Sequence, residues 1–267
     1  MKNFVEKYCE FPTTLRRPMW RIWHKLMIRF DKDISANFMN YGYASLNGDR
    51  PIALEQKDEV NRYCIQLYDH VVNSVDLVNK KVLEVGAGRG GADYIIRYYK
   101  PQKYTAVDIS SSVINFCNRF YSVPGLSFVE GRAEKLPVNG ETFDAVVNVE
   151  SARCYSNIET FFNEVYRVLN DDGHFLFADM MEKDELETIK GSLKKCGFTI
   201  KEENNITQNV AKGLTLDTQR REKLIKKKIP GFLQQSFLEF AGTKGTNRFD
   251  SFNNGKFEYW SFVLEKN

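Results

Sequence analysis

The chain lacks the features that would place it in several large protein classes. No apolar run comes near the ~18 residues of a bilayer-spanning helix, so no integral membrane segment is expected. The N-terminus is charged and has no apolar core segment, so no signal peptide is expected. The five cysteines (Cys9, Cys64, Cys117, Cys154 and Cys196) are scattered, odd in number and without a C-x-x-C pair. That argues against a disulfide framework or zinc site and for reduced thiols in the cytoplasm. Histidines number three, His24, His70 and His174, and each reads as structural. His70 is expected on the surface near the end of a helix, and His174 at the edge away from a ligand. No metal-ligand cluster emerges, so no metal is expected. The net charge of +3 is too mild to argue for a nucleic-acid partner. There is no internal repeat and no low-complexity segment.

What is present suits one large α/β domain with additions. The chain has 267 residues, of which 42% are apolar and 13% aromatic, enough for a sizeable core. Apolar runs predict strands over 81–85, 103–107, 126–130, 143–149 and 174–178. Helical periods predict helices over 91–99, 110–121, 157–169 and 184–196, with a further one from Asp58 to Val72. Ser156 and Glu159 read as the capping box of the helix over 157–169. Strands alternating with helices imply a doubly wound, mostly parallel sheet, here of seven strands. After Cys196 the order breaks. Strands at 198–203 and 257–265 flank a mostly helical insertion over 206–256 that holds the basic run Lys223–Lys228, read as a solvated helix face. The expected division is an N-terminal helical lid (1–56), a core (57–205), a helical substrate cap (206–256) and a closing strand (257–267).

Residues 12–30 form an amphipathic pattern, with Leu15, Met19, Ile22, Trp23, Leu26 and Phe30 on one face and Arg17, Arg21, Lys25 and Arg29 on another. Packing on its own domain is the favoured reading, and peripheral membrane contact the alternative. Exposed aromatics near 12–30 and 232–252 leave room for a homodimer.

The organising stretch is Val82-Leu-Glu-Val-Gly-Ala-Gly-Arg-Gly-Gly91, a buried strand feeding a glycine turn into a helix. Such a turn brings backbone close to a ligand. Gly86, Gly88 and Gly91 satisfy the dinucleotide pattern G-x-G-x-x-G. Glu84, Gly86, Gly88 and Gly90 satisfy E-x-G-x-G-x-G, which resembles the first motif of class I S-adenosylmethionine (SAM) methyltransferases. In open parallel sheets ligands sit beyond the carboxyl ends of the strands. Asp108 stands at such an end and can accept both hydroxyls of a ribose, with Ile109 beside it; an N-cap before Ser110 is its other reading. Asn148 and Glu150 stand at another.

Glu130-Gly-Arg-Ala-Glu-Lys-Leu-Pro137 is similar to the G-D-A-E-x-L-P segment of the same class, where the acidic residue and the next amide read adenine. Arg132 stands where that class has Asp, leaving the Ala133 N–H and Glu134 for the base. Val168–Phe177 resembles its turn into strand five, with Asp172 in place of the first glycine. Residues 80–180 therefore resemble a class I SAM methyltransferase. Asn40–Tyr43, Arg62–Asp69, Asn148–Tyr155 and Phe240–Gly245 extend the likeness to the phthiotriol/phenolphthiotriol dimycocerosate methyltransferase family, over roughly 35–265.

The resemblance implies a SAM-dependent methyltransferase that O-methylates a small apolar, lipid- or polyketide-like substrate. Glu84, Gly86, Ala87, Gly88, Gly90, Asp108, Ile109, Arg132, Ala133, Glu134 and Asn148 are its expected cofactor residues. Tyr41 and Tyr43 join them by cation–π attraction to the sulfonium. The family commonly has Ser-His-Cys-Tyr where this chain has Ala152-Arg-Cys-Tyr155. Arg153 stays protonated and cannot be the base, so Glu150 is the candidate. A carboxylate acceptor would need no base and would suit Arg153. An NAD(P) oxidoreductase and a SAM-binding protein without turnover are the competing classes.

Overall fold

The structure is a computed structural model that describes residues 38–48 and 52–267. The helix expected over 12–30 and the turn at 49–51 lie outside the described residues. The chain divides into two compact units. One comprises Leu67–Ile206 with Phe257–Asn267; the other comprises the described residues up to Gln66 together with Thr207–Lys256. The division falls inside the helix α1 (Arg62–Val72), whose apolar period runs unbroken across it.

The first unit holds one sheet made of β1 (Lys81–Val85), β2 (Lys103–Asp108), β3 (Leu126–Glu130), β4 (Phe143–Val149), β5 (Leu169–Glu182), β6 (Phe198–Asn205) and β7 (Phe257–Lys266). The strand order is β3-β2-β1-β4-β5-β7-β6. The first five strands run parallel, and β7 enters between β5 and β6 antiparallel to both. The helices α2 (Gly91–Tyr99), α3 (Ser111–Phe120), α4 (Ile158–Val168) and α5 (Leu186–Lys195) lie between them in sequence. The central strands are apolar without alternation because both faces are covered; Val82, Leu83, Val146 and Val147 are all fully buried. On one face, Phe161 of α4 meets Phe175 of β5, Phe162 meets Phe177, and Phe177 stacks on Phe262 of β7, with ring centroids 5.8–5.9 Å apart. The sheet order turns at β1, whose two neighbours are β2 and β4. That switch point places the carboxyl ends of β1, β2 and β4 around one crevice.

Several local expectations are revised. Helix α4 is capped by Asn157, whose Oδ1 accepts from Thr160 N at 2.9 Å, and not by Ser156. The Ser156 N–H donates instead to Glu134 Oε1 at 2.8 Å, which takes that residue out of the cap. The strand expected at 174–178 starts at Leu169, and Asn170–Gly173 bulge out between the pairs Phe143–Leu169 and Ala145–His174. Asp172 adopts φ +60° there, so it keeps the left-handed turn that glycine usually supplies. His70 is not a surface residue: it is half-buried and its Nε2 lies 3.0 Å from Ser261 Oγ on β7. Burial pushes its pKa down, with Asp69 opposing.

In the second unit, α6 (Thr207–Lys228), α7 (Gly231–Ala241) and α8 (Asn247–Asn253) follow one another. Buried Arg221 holds α6 and the end of α7 to the Asn40–Ala44 loop. Its guanidinium donates to Asn40 O (3.0 Å), Tyr41 O (3.1 Å), Ala241 O (3.2 Å) and Asp217 Oδ2 (2.8 Å). Arginine suits this place because one planar fork serves several acceptors at once.

Candidate active site

The turn after β1 has the geometry its glycines predict. Gly86 and Gly88 lie at φ +73° and +54°. A Cβ on Gly86 would sit 2.2 Å from Ser151 Oγ and 2.6 Å from Tyr155 Oη. Gly91 is as constrained as its neighbours: a Cβ there would lie 2.2 Å from the Tyr68 ring. The N–H groups of Gly86 and Ala87 donate to Val107 O at 2.8 and 3.1 Å, and that of Gly88 to Asp108 Oδ2 at 3.0 Å. These donors are spent inside the protein. A pyrophosphate needs them turned outward; a cationic sulfonium does not. Glu84 is buried, and its carboxyl accepts from Tyr68 Oη (2.8 Å) and Tyr104 Oη (3.0 Å). Burial pushes its pKa up to about 8, and the carboxyl serves the fold behind the turn.

Asp108 closes β2. Its Oδ1 accepts from Ser110 N at 2.9 Å and its Oδ2 from Gly88 N, so one carboxylate ties the two turns together. Ser110 is itself the N-cap of α3. Each carboxylate oxygen keeps a second acceptor site. Burial pushes the Asp108 carboxyl up, and the two N–H donors oppose that. Ile109 beside it is 42% exposed, an apolar face left open at the rim. In the segment after β3, Ala133 is buried and Arg132 exposed. Arg132 Nη2 lies 3.7 Å from Glu134 Oε2. Glu134 also takes the backbone N–H and hydroxyl of Ser156, and these hydrogen bonds leave its pKa lowered despite partial burial.

The end of β4 is built as a knot. Asn148 is fully buried and its Nδ2 lies within hydrogen-bond reach of Val85 O (2.8 Å), Ser151 Oγ (2.8 Å) and Tyr155 Oη (2.9 Å). It braces the floor beneath Gly86, and its Oδ1 is buried without a partner. Glu150 follows at φ +51°, an uncommon conformation for a residue with a side chain. The Glu150 N–H donates to Ala178 O at 2.8 Å, and its Oε1 accepts from Tyr259 Oη of β7 at 3.0 Å. Arg153 is exposed on the short 3-10 turn Ala152–Cys154. Its backbone N–H donates at 3.1 Å to Asp179 Oδ2, while Asp179 Oδ1 accepts from Met180 N at 2.8 Å. Asp179 is buried within β5, three residues before its end, and burial raises its carboxyl to about 6 against the pull of Arg153.

Sequence reasoning missed Ser151, Tyr155, Asp179 and Tyr259. Asp179 carried a readable signal, a charge directly after the apolar run Phe175–Ala178. Tyr259 carried none, because its partner Glu150 is reached only by the antiparallel entry of β7. Tyr41 and Tyr43 belong to the other unit. There Tyr41 is buried with its ring edge-on to Phe252, centroids 5.4 Å apart, and Tyr43 N donates to Tyr63 O at 2.9 Å.

The crevice residues fit SAM. Two left-handed glycines keep the turn free of side chains, a carboxylate with open acceptor sites closes β2, and an exposed isoleucine follows it. Fold and site define a class I SAM-dependent methyltransferase, and the dinucleotide alternative falls. A model described as a methyltransferase domain matches residues 83–177. Over 257 residues the chain is 34% identical to the phthiotriol/phenolphthiotriol dimycocerosates methyltransferase of Mycobacterium tuberculosis, covering 95% of this chain and 94% of that one. The chain belongs to that family. It is also 36% identical over 213 residues to a fatty-acid O-methyltransferase of Mycolicibacterium smegmatis, covering 79% and 77% of the two chains. The cyclopropane synthase MmaA2 of Mycobacterium tuberculosis shares the fold, with a TM-score of 0.69 at 13% identity over 90% of this chain and 93% of that one.

Proposed function

We propose that this methyltransferase transfers its methyl group to an oxygen of a lipid- or polyketide-like substrate, with a hydroxyl as the acceptor. Glu150 carries the reading. It is a carboxylate held in a left-handed conformation at the switch point, with Tyr259 orienting one of its oxygens. SAM supplies a methyl group made electrophilic by its sulfonium. The chain's own work is to place the acceptor oxygen in line with that methyl, exclude water and remove the hydroxyl proton as the C–O bond forms. Glu150 takes that proton. Asp108, Ile109 and Ala133 hold the nucleoside, and Gly86–Gly88 leave room for the methionine half.

The relatives' names support an apolar acceptor, since they refer to phthiotriol dimycocerosates and fatty acids. A second reading is favoured by exposed Arg153 beside the site: a carboxylate acceptor, already ionised, would pair with it and need no base. Incubating the enzyme with deuteromethyl-SAM and a panel of long-chain alcohol, fatty acid and amine tests both. The expected product is the labelled ether of the alcohol. Label on the fatty acid alone would replace the hydroxyl reading by the carboxylate one, and label on the amine alone would overturn both.

A further inference from the structure

The junction of α6 and α7 joins two features that helix chemistry alone does not explain together. Between Glu222 and Glu239 the chain carries four lysines and no acidic residue. Lys223, Lys226 and Lys227 fall at helical i, i+3 and i+4 spacing, share one side of α6 and are exposed. Lysines at a helix C-terminus complement its dipole, which accounts for their presence but not for the aromatic residue beyond them. Four residues past the last lysine, Phe232 stands 85% exposed in the first turn of α7; among the described residues the other exposed large apolar side chains reach 37–51%.

Phe232 is presented on a rigid support. Ile225 and Ile229 of the α6 end pack with Phe237 of α7 into a small core. Gln234 Nε2 donates to Ile229 O at 2.9 Å, and Leu233 N to Pro230 O at 2.9 Å, closing the turn. The helix pair thus buries its own apolar residues and leaves one aromatic outside, beside a one-signed cluster.

We propose that this tip docks on an anionic lipid bilayer, with Phe232 entering the acyl boundary and Lys223, Lys226 and Lys227 meeting the headgroups. Stable membrane attachment takes two signals, an apolar insertion and a basic patch, and the tip supplies both. Charge complementarity selects an anionic surface. A nucleic acid or acidic peptide would use the lysines but leaves no role for a protruding phenylalanine. The proposal does not rest on which oxygen accepts the methyl group.

The test is sedimentation of the full chain with phosphatidylcholine vesicles, with and without phosphatidylglycerol. Binding is expected to the anionic vesicles and to fall with added salt. Phe232→Ser should weaken it about tenfold or more. Lys226→Gln with Lys227→Gln should weaken it about twenty-fivefold, at roughly fivefold per lysine. SAM affinity and alcohol methylation in the absence of vesicles should stay unchanged in these variants, which shows that they fold and separates this proposal from the assignment of the acceptor. Equal binding of neutral and anionic vesicles, vesicle binding untouched by either substitution, or loss confined to variants of Arg17, Arg21 and Lys25 would each overturn it. Dissociation of a dimer by Phe232→Ser, with vesicle binding intact, would assign the tip to a second copy of the chain instead.

Discussion

Gly86→Ala is expected to lower SAM affinity at least a hundredfold. Two costs act together. The residue sits at φ +73°, where a side chain is strained by about 1 kcal/mol or more. The added Cβ would also lie 2.2 Å from Ser151 Oγ and 2.6 Å from Tyr155 Oη, which no rotamer change of a distant tip relieves. Forcing an extra carbon into such a site costs about 1–3 kcal/mol. The Asn148–Ser151–Tyr155 knot must open to admit it, and that knot forms the floor of the turn. Calorimetric titration with SAM measures the affinity, and urea unfolding should show a loss of about 2–4 kcal/mol. Affinity within threefold of the parent would remove the turn from the cofactor site. Adding Ser151→Gly should restore part of the stability, since it removes the nearest clash but not the backbone strain.

Glu150→Gln should slow methyl transfer to an alcohol by about 100- to 10,000-fold, the usual worth of a general base. Glutamine keeps the shape and still accepts from Tyr259 Oη, so the loss isolates proton removal from geometry. Tyr259→Phe should cost less, because it frees the carboxylate from its orienting bond without removing it. SAM affinity should move less than the rate in both variants. If Glu150→Gln leaves the rate on the alcohol unchanged, the base lies elsewhere. If the enzyme methylates only fatty acids, and does so equally well with Gln at this position, the acceptor is a carboxylate.

The parallel core was legible because its signals are local. Val82–Val85 and Ala145–Val149 read as buried strands from composition alone, and Asp108 and Glu150 announced themselves as charges closing apolar runs. What escaped depends on distant partners. Ser156 and Asn157 are both good caps; the choice between them was made by Glu134, 22 residues away, which engages Ser156. His70 sits on a helix whose period gives no hint of Ser261, 191 residues later. Tyr259 meets Glu150 because β7 threads between β5 and β6, a topology no local pattern encodes. The roles of some expected ligands also shifted inward. Glu84 and Asn148 occupy the predicted positions, yet their side chains hold tyrosines, a serine and a strand carbonyl, supporting the turn from behind.

Every functional role assigned above depends on where SAM sits, and hydrogen exchange tests that location directly. Amide exchange of the full chain, with and without saturating SAM, resolves the two ends of the sheet. Slowed exchange is expected at 86–91, 108–111 and 131–134, with little change across 74–80 and 170–174 at the opposite ends of β1 and β5. Protection at that opposite edge, or none at the glycine turn under saturating SAM, would contradict this placement.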